Sequence, residues 1–256
     1  MYDPDHPLTR RFLEGRSRNA LTGREKDILE GLIDSTERFT APHTILERGK
    51  ELNRSTLLIE GIVARVINDR GRRHIVALHV PGDFVDLHAF ALKRLDHDVV
   101  SIGTVQIGYA HHDRLEEVLR TEPNLSRMLW FSTLLDAAIH REWIMKLEQL
   151  NADGRLAHLV AEMWQRLDFV GLADENGFSL PLTQQELADS CGTTSIHMNR
   201  VVRRLREQGI VDISRGRVTI LNRAAMNECA AFDPAYLYGD GPLKLRRCPC
   251  PVDSPA

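Results

Sequence analysis

The sequence predicts an α+β chain with an N-terminal antiparallel barrel or roll, one long helix, and a C-terminal winged helix-turn-helix. Three observations carry this. Between 39 and 110, short runs rich in β-branched residues are separated by Gly49-Lys50, Gly61, Asp69-Arg70-Gly71, Pro81-Gly82-Asp83 and Gly103, the punctuation of antiparallel strands. From 123 to 150 the only helix breaker is Pro123 at the start, so a single helix can run unbroken for about 42 Å. The stretch 182–221 reads as two short helices joined at Cys191-Gly192 and continued by a small hairpin. These features divide the chain into a polar lead-in (1–20), a roll (21–122), a long dimerisation helix (123–151), a DNA-binding unit (152–225) and a mobile tail (226–256).

In chain order, 21–34 places Leu21, Ile28, Leu29, Leu32 and Ile33 at helical spacing, with Thr22 as cap. Strands are expected at 39–47, 55–68, 74–80, 84–87 and 99–110, and a short helix up to about Arg120. In the long helix Leu125, Met128, Leu129, Leu135, Ile139, Trp143, Met145 and Leu147 form a broad apolar face. A small roll cannot cover a stripe of that length, so part of it is expected to pack against a second copy. Asn151-Ala152-Asp153-Gly154 ends the helix, and Asp153 is expected to cap the next. A loop at 173–177 leads into the helical pair. A short helix is expected at 223–231, and from Pro234 the chain has no periodicity.

The helical pair carries the chemistry. Thr183 can cap free backbone N–H groups while Glu186 reaches back to it, a capping box. Gly192 sits where the chain must bend sharply, and Thr193 or Thr194 can cap the second helix. There Met198, Val201, Val202 and Leu205 make one apolar stripe, which must face the core. The opposite face then holds Ser195, Ile196, Asn199, Arg200 and Arg203, flanked by His197 and Arg204. A guanidinium can bond guanine O6 and N7, an Asn can pair with adenine, and an apolar side chain can meet a thymine methyl. After Gly209, runs 210–213 and 217–221 alternate around Ser214-Arg215-Gly216, a wing with Arg215 and Arg217 at its basic tip. The expected DNA-contacting residues are Thr183, Thr194, Ser195, Ile196, His197, Asn199, Arg200, Arg203, Arg215 and Arg217. A generic helical pair with solvated arginines is the competing reading; the capping box, the turn glycine and the basic hairpin together favour double-stranded DNA.

Bulk properties fit a DNA binder only locally. The 256 residues carry a net charge of -3, yet seven arginines (200, 203, 204, 206, 215, 217, 223) face only Glu207 and Asp212 between 192 and 223. Such asymmetry favours a local phosphate-binding surface. No nucleophile elbow, phosphate loop or paired metal-ligand motif is present, so no enzyme is expected. Of the four cysteines, three fall in the last thirty residues, which is no disulfide framework and suits a reducing cytoplasm. Cys191 reads as a packing residue, and Cys248-Pro249-Cys250 as an unpromising zinc site. No leader and no bilayer-length apolar run is seen, so the chain is expected to be cytoplasmic and independent of membranes.

In this order of parts the chain resembles the Crp/Fnr transcription regulators over about 21–223. Pro81-Gly82-Asp83-Phe84 looks like the turn of the family's roll, Asp153-Gly154-Arg155-Leu156-Ala157 is similar to the start of its DNA-binding domain, and 182–188 through Gly192 to Arg200 matches its helix-turn-helix signature. The resemblance implies a cyclic-nucleotide-binding-like roll, a homodimer on a pseudo-palindromic operator, and recruitment or blocking of RNA polymerase. Arg200 falls on the recognition-helix arginine that contacts guanine. Ile196 stands where many members place a glutamate, and Asn199 where others place Ser or Gly, so a different half-site is expected.

For the roll, the resemblance implies a glutamate and an Arg-Ser pair in nucleotide-binding members. Here the glutamate site holds Leu87, and near the Arg-Ser site stand Arg94, Leu95, Asp96, His97 and Asp98. An effector other than cyclic AMP is therefore expected, or none. The iron-sulfur route is closed by the lack of cysteine before 191. His74, His79, His88, His97, His111 and His112 leave haem open, without singling out a ligand. The remaining alternative is a constitutive repressor whose roll is only a dimer platform. No cofactor or metal is assigned.

Overall fold

The computed structural model describes residues 4–239. Helix α1 (Gly23–Gly31) starts at Thr22, whose side chain accepts from the Glu25 N–H while Glu25 accepts in return. Strands β1 (Ser35–Phe39), β2 (Thr44–Leu46), β3 (Arg54–Asp69) and β4 (Arg72–His79) come next, then α2 (Ala89–Leu92) and β5 (Asp98–His111). All the strands pair antiparallel, in the order β1-β5-β3-β4, with β2 also on β5. The long strands β3 and β5 shift register between Leu58 and Glu60 and between Glu60 and Ile62. Such bulges bend a sheet and let it close over its own core.

Two expected strands are corrected. The run 39–47 straddles a break at Ala41-Pro42, because proline withholds the N–H a ladder needs; β1 ends at Phe39 instead of beginning there. At 84–87 only Phe84 bridges, to Leu57, before the chain turns into α2. The polar lead-in is also corrected. Phe12 and Leu13 are buried beside Phe84 and Leu57, and the lead-in passes so close to the roll turn that a Cβ on Gly82 (φ +100°) would lie 2.2 Å from the Arg11 carbonyl oxygen.

Helix α3 (His112–Thr121) leads to α4 (Pro123–Gln149), the long helix. Leu125, Met128, Leu129, Leu135, Ile139 and Trp143 are buried against this chain's own roll and C-terminal half, joined by Ala138 and Lys146. Met145 and Leu147, expected on that face, are exposed. The far side of α4 carries a second apolar stripe, Trp130 (67% exposed), Leu134 (52%), Ile144 (66%) and Met145, at spacings that return to one face.

Helix α5 (Ala152–Phe169) is capped by Asn151, whose side chain accepts from Gly154 N–H at 2.9 Å; Asp153 lies inside the first turn and is not the cap. The loop expected at 173–177 is a hairpin, β6 (Ala173–Asp174) and β7 (Gly177–Ser179). Then come α6 (Gln184–Ser190), α7 (Ser195–Glu207), β8 (Val211–Ser214), β9 (Arg217–Ile220) and α8 (Arg223–Ala230). The strands form one sheet, β6-β7-β9-β8. Residues 226–239, expected to be part of a mobile tail, are packed instead: Met226, Ala230 and Leu237 are buried and a 3-10 turn at Pro234–Leu237 packs on α4 and α5. Residues 240–256, with Cys248 and Cys250, lie outside the described residues. Among the described residues no helix is long and apolar enough to cross a membrane.

Candidate nucleic-acid interface

The helical pair forms as its residues dictate. Thr183 Oγ1 accepts from Glu186 N–H at 3.2 Å while the Glu186 carboxylate accepts from Thr183 N–H at 2.8 Å. The turn closes with Gly192 at φ +61°, a left-handed value that favours glycine. Thr194, not Thr193, caps α7, accepting from His197 N–H at 3.3 Å. Met198, Val201, Val202 and Leu205 are all buried, so α7 cannot rotate its opposite face inward. Ile196 is 69% exposed; His197, Asn199, Arg200 and Arg203 are also exposed, and Ser195 is half-buried.

The structure sorts the arginines more finely than the sequence can. Arg203 donates to Glu207 at 2.7 Å, Arg206 to Asp212 at 2.6 Å, and Arg217 to Asp174 at 2.7 Å. Arg204 holds Asp153 with two donors, and Arg223 lies 3.6 Å over the Trp164 ring. Among the described residues, Arg200 and Arg215 find no carboxylate and no side-chain hydrogen bond, and Arg215 sits at the wing turn with φ +51°. Thr183 and Thr194 use their hydroxyl oxygens as caps.

Sequence reasoning misses the residues that position this surface. Arg155 donates to the Leu147, Leu150 and Cys191 carbonyl oxygens, tying the end of α4 to the turn between α6 and α7. Asp153 steadies α7 through Arg204. The Asp153-Gly154-Arg155 run is the available signal, but a motif does not say which neighbour a side chain reaches. Cys191 is buried, and burial pushes its thiol up to about 11, which suits packing.

The chain has recognisable relatives. Residues 154–229 match the Crp-like helix-turn-helix domain. The chain is 29% identical over 190 residues to the transcriptional activator protein FnrL of Cereibacter sphaeroides, covering 72% of this chain and 75% of FnrL. It is 21% identical over 211 residues to the fumarate and nitrate reduction regulatory protein of Escherichia coli, 82% of this chain and 84% of that one. Its fold matches FixK2 from Bradyrhizobium japonicum with a TM-score of 0.70 at 21% identity, over 78% of this chain and 98% of that chain.

The chain is similar to the Crp/Fnr regulators over most of its length, and residues 154–229 carry their helix-turn-helix domain.

It is a Crp/Fnr-type transcription regulator with a helix-turn-helix DNA-binding domain, and its relatives are regulators rather than enzymes. Within the roll, Leu87 lines an apolar cavity, and Arg94 is exposed on a bridge to Glu51. The arginine that enters the roll is Arg65, which the sequence hides in the apolar run Ile62–Val66. Of the six roll histidines, His79, His97 and His112 are buried. Among the described residues no three His, Cys, Asp or Glu side chains are grouped so as to hold a metal ion.

Proposed function

We propose that this regulator acts in the cytoplasm as a homodimer and reads a pseudo-palindromic operator through α7, with the position of that operator deciding whether RNA polymerase is recruited or blocked. The observation that carries the reading is the anchoring of α7. Four buried apolar side chains leave Ile196, Asn199 and Arg200 outward on a helix with a wing beside it. Arg200 suits guanine, Asn199 suits adenine, and Ile196 suits a thymine methyl, an apolar contact in place of a hydrogen bond to cytosine. His197, Ser195 and Arg203 flank these on the same helix. Arg215, Arg217, Thr183 and Thr194 are assigned to phosphates, contacts that set position without reading sequence.

Pairing of two copies is supported by the second stripe of α4. Trp130, Leu134, Ile144 and Met145 form an exposed apolar ridge, which a dimer would remove from water. The test is selection of bound sequences from random duplexes. The expected result is two inverted half-sites centred about 10–10.5 bp, or a multiple of that, apart. Absence of any enriched sequence, with no duplex binding at low ionic strength, would overturn the reading.

A further inference from the structure

The two ends of the described residues meet. Both the segment 4–20, ahead of α1, and the segment 232–239, after α8, lie outside the matched helix-turn-helix domain. The lead-in is pinned first to α1, where the Leu8 and Thr9 N–H groups donate to the Glu30 carboxylate at 2.9 Å and Thr9 Oγ1 donates to it at 2.6 Å. Phe12 then enters the roll core, its ring 5.8 Å from that of Phe84. From the same segment two arginines cross to the other half of the molecule. Arg11 donates from Nη1 to the Ile59 carbonyl oxygen of β3 and from Nε to the Val170 carbonyl oxygen, just past α5. Arg16 donates from Nε to the Leu237 carbonyl oxygen at 2.8 Å, and its guanidinium lies 4.5 Å from the centre of the Phe169 ring.

The C-terminal segment completes the seat. Leu237 is fully buried, Tyr236 Oη donates to Glu162 of α5 at 3.0 Å, and the Tyr238 ring meets Phe131 of α4 edge-on at 5.8 Å. Phe169, the last residue of α5, is enclosed from both ends of the chain: a Cβ on Gly15 would lie 2.7 Å from the Phe169 Cβ, and one on Gly239 would lie 2.0 Å from its ring. Only glycine lets both segments approach so closely.

The place of this seat matters mechanically. Helices α4 and α5 are joined through Leu150 and Asn151, both in extended backbone, so no continuous helix fixes the angle between them; a few such residues can act as a hinge. The seat lies at the opposite end of α5, about 27 Å from that joint for a helix of 18 residues. A contact there resists rotation about the joint with the longest lever the helix offers. It adds to the Asp83–Arg166 ion pair, whose two residues line one recess with Arg11 and Arg16.

We propose that residues 4–20 and 232–239 form a two-part strap that holds the reading unit against the roll in the orientation that binds DNA, and that unseating 232–239 releases it. This rests on the reading of α7 as the operator-facing helix. A unit already held in its binding orientation loses less freedom on association than one that must be ordered there.

The experiment uses the full chain with Arg16→Ala, which removes the bond to Leu237 at a half-buried position, and with Leu237→Asp, which puts a charge in the buried seat. In both, hydrogen exchange is expected to show lost protection at 232–239 and in the last turn of α5, with β3 and β5 unchanged. Affinity for a duplex enriched from random sequence is expected to fall by about fivefold or more, at an unchanged salt slope, because no phosphate contact is removed. The double variant should bind no more weakly than Leu237→Asp, since both changes open one seat. If Leu237→Asp loses the circular dichroism of the fold, Tyr236→Phe replaces it in the cycle, removing only the bond to Glu162. Lost protection with unchanged or tighter duplex binding overturns the strap as the holder of the binding orientation. Additive losses in the double variant overturn the single seat, and full protection in Arg16→Ala overturns the contact between the two ends. Failure of the unaltered chain to bind any duplex overturns the reading of α7 instead, and the exchange data then judge the strap alone.

Discussion

Arg200 and Arg215 are the two arginines of the reading unit that no side chain of the described residues engages, and they are expected to behave differently. Arg200 faces outward from the middle of α7, so Arg200→Ala should cost about 1–3 kcal/mol and relax preference at one base pair. Arg215, at the wing turn, should when changed to Ala weaken all sequences alike and reduce the salt slope by about 1. A binding-site library measured at two salt concentrations checks both. Buried titrating residues make a second prediction. Burial depresses His79, His88 and His158 to about 4, so the unfolded chain takes up protons that the folded one refuses. Their contribution is full above the unfolded value of about 6.5 and lost as pH falls toward 4. Asp86 works in the opposite sense, since burial raises it to about 7 despite donation from Thr56 N–H and Oγ1; its contribution is lost as pH rises from about 4 to 7. With three groups against one, the urea midpoint should rise between pH 5 and 6.5, and Asp86→Asn should steepen that rise.

At the scale of elements, α7 is held by a buried stripe, an N-cap and a glycine turn. Thr194→Ala removes the acceptor for His197 N–H and should cost about 1 kcal/mol of stability by denaturant unfolding, with the exposed face of α7 unchanged in composition. The hairpin β6–β7 reads as a loop in the sequence because its strands are two and three residues long, too short to show alternation. Yet it extends the wing sheet and supplies Asp174, which takes up Arg217. The sequence alone makes that arginine a free basic contact at the wing tip; its carboxylate partner comes from a segment about forty residues earlier.

At the scale of the whole molecule, the roll is fastened to the DNA-binding half by charged side chains. Asp83 in the roll turn accepts from Arg166 of α5 at 2.7 Å, and Arg73 of β4 reaches Glu186 of α6 at 3.5 Å. Arg166 also holds Glu162, which accepts from Trp143 of α4 and Tyr236. One contiguous polar network thus links the roll turn, α5 and the long helix, and the separate Arg73–Glu186 pair joins the roll to α6, a physical basis for one half to bias the other. The proposed homodimer makes a prediction at this scale. Ile144→Asp places a charge on the exposed ridge of α4 and should shift sedimentation toward the monomer, lower operator affinity, and leave the circular dichroism of the fold unchanged. A variant that stays dimeric would remove α4 as the pairing surface.

Sequence alone determined the α+β class, the long helix and the helix-turn-helix, because these rest on local rules. Thr22 and Thr183 each cap the helix that begins one residue later, Gly192 takes a left-handed turn, and apolar spacing in α7 decides which face looks out. Only the tertiary structure decided the partner of each long side chain and the side of α4 left uncovered. Met145 and Leu147 share the composition of a buried stripe but lie in solvent, and Phe12 sits in a polar lead-in but fills the core. Four arginines of one basic cluster, 203, 204, 206 and 217, are paired by acids up to about fifty residues away. Burial and ion pairing depend on which segments meet in space, and spacing along the chain carries no record of that beyond a few helical turns.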